Sequence, residues 1–183
     1  MTEPLVGGRR RIDRVLAEDY LDDLTGRDTD QVRSMRREAQ QEEADLSYVR
    51  RMLQGRMDIL RAERARRDGQ GGEGTIVAHL SEVLADSVRT DRGLGRFLDV
   101  EPSRVGETRR AVEQVVADIG ISDVGSLDDE GLTAAQARLE ETERSVSASR
   151  QRVQHVMDAL TAEIARRYKD GAASVDDLLT GGV

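Results

Sequence analysis

The feature that most constrains this chain is a stretch that occurs twice, EADLSYVRRMLQGRMDILRAERARR over residues 43–67 and ERSVSASRQRVQHVMDALTAEIARR over residues 143–167. The offset is 100 residues without a gap, and 12 of the 25 aligned positions are identical. Five identities are polar and equally spaced in both copies: Glu43, Ser47, Arg50, Gln54 and Asp58, then Glu143, Ser147, Arg150, Gln154 and Asp158. Other positions expected on the surface have drifted, with Tyr48 against Ala148, Gly55 against His155 and Arg56 against Val156. Shared ancestry alone therefore does not account for keeping all five.

The apolar positions predict the fold. Leu46, Val49, Leu53, Met57 and Leu60 in the first copy recur at coiled-coil spacing, as do Leu139, Val146, Val153, Met157, Leu160 and Ile164 around the second. With 35% charged residues, three Tyr, one Phe and no Trp, the chain cannot fill a thick core, and its composition is that of long helices. The expected class is all-α, a long antiparallel two-helix coiled coil with short bridging and N-terminal helices.

Along the chain, residues 1–27 read as a disordered tail over 1–10 followed by a short docking helix over Arg11–Leu24. That helix carries Ile12, Val15, Leu16, Tyr20, Leu21 and Leu24, and Gly26 ends it. It is too short to stand alone, so it docks either on the chain's own coiled coil or on a partner. Residues 28–68 form the first long helix, with Asp28 or Thr29 as its cap and Glu63–Arg67 as an i, i+4 pair near its end. Residues 69–130 are expected to be a linker with two short bridging helices, over 75–92 and 103–119. Residues 131–170 form the second long helix, and 171–183 a tail with one helical turn at Val175–Leu179.

At about 100° per residue the five polar positions fall within an ~80° stripe some 22 Å long. The stripe lies beside the apolar seam, at the lip of any groove between two such helices. Antiparallel packing relates two like helices by a pseudo-two-fold axis that brings both stripes to one face, whereas parallel packing puts them on opposite faces. Arg can fork onto guanine O6 and N7 or stack on a base, and carboxylates accept from the guanine N1–H and amino group. Ser and Gln suit phosphate, ribose or the remaining base edges. A duplicated set on a two-fold face therefore suits a symmetric guanine dinucleotide. The alternative is a plain coiled-coil adaptor or scaffold whose charges are solvated flanks.

Other classes find little support. The net charge of −8 disfavours nonspecific nucleic-acid binding, including by the stretch over 103–119, and allows a basic partner. His79 and His155 stand alone and there is no Cys, so no metal site is expected. The Gly-rich GQGGEG over 69–74 lacks the Walker Lys, no catalytic constellation is visible, and the chain is not expected to be an enzyme. With no membrane-spanning run and no signal peptide, a cytoplasmic protein is expected.

The pattern E-x3-S-x2-R-x3-Q-x3-D on two long helices resembles that of the RsiG anti-sigma factors of actinobacteria, and RRRIDRVL near the start and SYVRRMLQGRMDIL around the first motif are similar too. The resemblance implies an antiparallel coiled coil that binds cyclic di-GMP as a stacked, intercalated pair on all ten motif residues. The liganded form would sequester a WhiG-type sigma factor one-to-one and repress late sporulation transcription. A chain carrying both motifs would act as a monomer toward its sigma factor. No sigma-contacting residue follows from the motif.

Overall fold

A computed structural model describes residues 4–69 and 121–171. The bridging helices expected over 75–92 and 103–119, His79 and the turn at Val175–Leu179 lie outside these residues. Within them the fold is all-α, with no strand. Helix α1 spans Arg11–Val15, α2 spans Thr29–Arg67 and α3 spans Asp129–Lys169, with 3-10 turns at Leu24–Gly26 and Ile121–Ser126.

The two long helices begin and end alike. Asp28 Oδ1 accepts the Gln31 amide at 2.7 Å while the Asp28 amide donates to Gln31 Oε1 at 3.0 Å, a reciprocal capping box. At the matching place in the repeat, Asp128 Oδ1 accepts the Gly131 amide at 2.7 Å, so α3 starts two residues before Gly131. Both helices stop at a glycine in the left-handed region, Gly69 at φ 71° and Gly171 at φ 73°, where a Cβ would be strained. The starts at Asp28 and Asp128 keep the 100-residue offset of the repeat, whereas the stops at Gly69 and Gly171 are 102 residues apart.

Burial follows a seven-residue spacing in each helix: Val32, Ala39, Leu46, Leu53 and Leu60 in α2, and Leu132, Leu139, Val146, Val153 and Leu160 in α3. Met35, Val49 and Ala135 occupy intervening seam positions. Met157 and Ile164, expected in the seam, are half-buried. Ser149 and Arg167 are buried instead.

The chain divides into two compact units. The first comprises residues 4–47 and 146–171, the second residues 48–69 and 121–145. In the first unit Arg167 Nη1 reaches Thr29 Oγ1 at 3.3 Å, and further along α2 Glu43 accepts from Arg150 at 3.0 Å. Rising residue numbers on α2 therefore meet falling numbers on α3. The second unit shows the same sense, with Arg50 bonded to Glu143 and Arg67 bonded to Asp129 at 3.1 Å. In both units the helices pack antiparallel.

The helix ends carry matching latches. Glu63 accepts from Arg66 and Arg67, and Glu163 accepts from Arg166 and Arg167, each at 2.8–2.9 Å. These guanidiniums, first Arg66 and Arg166, pull each carboxyl down to about 2. Arg67 then reaches Asp129 and the Gly125 carbonyl at the start of α3, while Arg167 reaches Thr29 and the Leu24 carbonyl at the start of α2. A guanidinium with five donors serves this role where a Lys could not.

The N-terminal segment departs from expectation in two ways. Residues 4–10 are folded back rather than disordered: the Leu5 and Arg10 amides donate to the two oxygens of Asp13 at 2.8 and 3.0 Å, and the Arg10 guanidinium closes on the same carboxylate. Hydrogen bonds from Arg10, foremost that of its side chain, hold the Asp13 carboxyl down at about 2 despite burial. The helix also stops at Val15 instead of Leu24. Beyond it the backbone makes only short-range turns, from the Tyr20 amide to Ala17 and from the Asp22 amide to Asp19. The acidic run there favours local turns over a helical ladder.

This segment docks on the chain's own α2. Ile12, Val15 and Leu16 are buried, Arg11 Nη1 donates to Asp45 Oδ2 at 2.9 Å, Arg14 bonds Glu38, and Tyr20 donates to the Met35 carbonyl at 3.2 Å. Beneath it Glu42, only 2% exposed, sits in the seam between Ala39 and Leu46 with Arg11 3.7 Å away. Burial pushes its carboxyl from 4.5 up to about 7, against the pull of Arg11. A carboxyl raised in the folded state contributes stability below its unfolded value and loses it as pH rises through the folded one. Glu42→Gln is therefore expected to raise the melting temperature by about 3–6 °C at pH 8 and by little at pH 5. Melts at pH 5, 6.5 and 8 check this, and an equal gap at all three would contradict the assignment.

Candidate functional site

Within each unit the motif residues line the edges of the α2–α3 packing. Nine are half-buried, Asp158 is exposed, and none is buried in the seam. That is the groove-lip position the helical wheel predicts.

In the first unit, three donors converge on one oxygen of Glu43. Ser47 Oγ reaches Glu43 Oε1 at 2.9 Å, Arg150 Nη1 at 3.0 Å and Gln154 Nε2 at 3.3 Å. The Glu43 side chain is 13% exposed and Arg150 27%. Oε2 of Glu43 keeps both lone pairs open, since no described residue donates to it. In the second unit, Arg50 Nε donates to Glu143 Oε1 at 2.9 Å, with side-chain exposures of 37% and 18%. Each unit therefore pairs the Arg of one motif with the Glu of the other, with the motifs exchanging roles.

Asp58 accepts from Arg61 on its own helix at 2.7 Å. Asp158 has no such neighbour, because position 161 is Thr161, whose hydroxyl turns back to the Met157 carbonyl at 2.7 Å. Gln54 and Ser147 are half-buried on α2 and α3.

Magnitudes separate structural from functional reasons for these pairs. Ion pairs this exposed contribute roughly 0–1 kcal/mol. Stability gives little reason for two copies to keep both Arg–Glu pairs and the flanking Ser, Gln and Asp. The unused capacity is considerable: Arg50 commits only its Nε and Arg150 only one terminal nitrogen, out of five N–H donors each. Two guanidinium forks are thus oriented by carboxylates and left able to bond a planar acceptor edge.

The model of the RsiG-like family matches residues 18–84 and 118–181, one motif within each segment. The chain belongs to the RsiG-like family. No curated protein matches it. RsiG-like proteins are anti-sigma regulators rather than enzymes, so this chain is an anti-sigma factor in the general sense and its partner is a sigma factor. Among the described residues of this RsiG-like protein, no helix is long and apolar enough to cross a membrane.

Two features of the site were missed by sequence reasoning. One is the buried Glu42–Asp45 pair under Arg11, immediately before Glu43, for which a charged residue at a seam position is the available signal. The other is Arg36, which lies on the same stripe two turns before Glu43.

Proposed function

We propose that this RsiG-like protein is a cyclic di-GMP-dependent anti-sigma factor, whose two motifs bind a stacked pair of the dinucleotide and whose liganded form sequesters a WhiG-type sigma factor. The observation that carries the reading is the reciprocal pairing of Arg50 with Glu143 and of Arg150 with Glu43 at half-exposed positions. Those pairs aim the guanidinium forks while leaving donors free for guanine O6 and N7 or for stacking on a base. The open oxygen of Glu43 suits a guanine N1–H or amino donor. Glu143, Asp58 and Asp158 take corresponding donors, and Ser47, Gln54, Ser147 and Gln154 complete the polar contacts. Little rearrangement is needed, which keeps the ordering cost of binding low.

In this account one chain serves one sigma factor, because both motifs are already present. Rising cyclic di-GMP withholds the sigma factor from core RNA polymerase, and falling cyclic di-GMP releases it to start late sporulation transcription. The protein is cytoplasmic and touches neither DNA nor membrane. The ligand half of this reading is tested by melting the full chain in cyclic di-GMP. At 100 times the dissociation constant the folded state gains about 2.7 kcal/mol, and the melting point rises by about 5–10 °C. A plain coiled-coil adaptor would melt unchanged.

A further inference from the structure

Among the described residues, two side-chain polar atoms are buried without a hydrogen-bond partner, Arg36 Nε and Arg150 Nε. Buried donors are nearly always paired, so each needs a reason. Both lie in the first unit. Arg150 belongs to the second motif. Arg36 belongs to neither, yet it stands seven residues before Glu43 on α2. Seven residues are two turns to within about 20°, so Arg36 shares the azimuth of the stripe and lies about 10 Å upstream of Glu43.

Nearby in this unit Arg33 is engaged with Asp30 and Tyr168, Arg14 with Glu38 and Arg11 with Asp45, while Arg37 is exposed and lies off the azimuth of the stripe. Arg36 makes no ion pair among the described residues. The position 100 residues on is neutral Gln136, whose amide donates to Glu140 at 2.8 Å. The repeat therefore carries an uncommitted cation at this place in the first copy alone.

Resting on the reading of the stripe as a cyclic di-GMP site, we infer that Arg36 is a further ligand-binding residue, supplying a cationic contact to a phosphate oxygen of the dinucleotide. The motif offers base edges four carboxylates and two arginines, but each of those arginines already has a motif carboxylate as partner. A ligand with two anionic phosphates needs positive charge that no motif carboxylate neutralises, and Arg36 provides it. It extends the site two turns toward the start of α2 and makes it unequal in charge between the two copies.

The test is calorimetric titration of cyclic di-GMP into the full chain, alone and with a WhiG-type sigma factor present, for wild type, Arg36→Gln and Arg36→Lys. Arg36→Gln is expected to weaken binding about tenfold, the loss of one charge-assisted contact, and to make the affinity less sensitive to salt. Arg36→Lys, keeping the charge without the fork, should fall between it and wild type. Helix content should stay unchanged in both. Wild-type affinity in Arg36→Gln, with wild type binding and Arg150→Ala failing to bind, overturns this inference and leaves the ligand reading intact. Unchanged dinucleotide affinity with lost sigma capture also overturns it, by making Arg36 a partner contact. Absence of binding by wild type in both conditions removes the ligand reading and this inference with it.

Discussion

Replacing Arg150 by Ala is expected to abolish cyclic di-GMP binding and sigma capture while leaving the helical signal and melting point nearly unchanged. The first half of that expectation follows from the proposed ligand site, the second from the exposure of the pair. Arg150 is 27% exposed and its pair with Glu43 is held at 3.0 Å in a half-solvated setting, so its loss costs the fold roughly 0–1 kcal/mol. For the ligand the same substitution removes a forked donor and also releases Glu43, leaving a half-buried carboxylate held only by Ser47 and Gln154. A lost charge-assisted contact costs roughly 1.5–3 kcal/mol, and a misplaced Glu43 adds to it. Arg50→Ala should behave alike through Glu143, because each unit pairs the Arg of one motif with the Glu of the other. Calorimetry and circular dichroism on both variants check this, and unchanged affinity in both would sink the assignment of the forks.

The second large effect concerns stability. Leu53 is fully buried in the seam, and Leu53→Ala is expected to cost about 2–5 kcal/mol through lost burial and an unfilled cavity. For a chain of this size that lowers the melting point by about 5–15 °C. Ile59, 48% exposed on the same helix, should tolerate Ala within about 0.5 kcal/mol. On the proposed reading the ligand binds the folded chain, and cyclic di-GMP should then raise the Leu53→Ala melting point by about as much as it raises that of wild type. Denaturation of the three proteins, with and without ligand, distinguishes a seam position from a surface one, and equal loss in both variants would contradict the assigned register.

Much of this architecture was legible before any coordinates, and the reasons are specific. The polar stripe was readable because it is duplicated: two copies at one offset separate retained side chains from drifting ones, and a helical wheel then places them. Leu46, Val49, Leu53 and Leu60 were readable because coiled-coil spacing is periodic and their burial follows from it. The antiparallel sense was favoured only by the argument that both stripes act together, and it emerges from Arg50 meeting Glu143 and Arg150 meeting Glu43.

What escaped the sequence depends on contacts outside the helical periodicity. The fold-back of residues 4–10 rests on Asp13 collecting backbone amides, which a Gly-rich start disguises as disorder. The helix over Arg11–Leu24 was overextended because Tyr20 has helical spacing, yet it serves as a hydroxyl donor to Met35 from a turn. Glu42 was not singled out in the sequence, and its burial becomes intelligible only with Arg11 placed over it. Of the latches only the Glu63–Arg67 pair was readable from its i, i+4 spacing, and the reach of Arg67 and Arg167 to Gly125 and Leu24 required the helix starts to be placed beside them.

On the proposed reading, ligand occupancy of the stripe controls capture of the sigma factor. The most direct measurement is retention of a WhiG-type sigma factor on the immobilised full chain, with and without cyclic di-GMP, and with Arg150→Ala as control. Wild type is expected to retain the sigma factor only when cyclic di-GMP is present, and Arg150→Ala in neither condition. Equal retention by wild type with and without the dinucleotide, or retention by Arg150→Ala at the wild-type level, would contradict it.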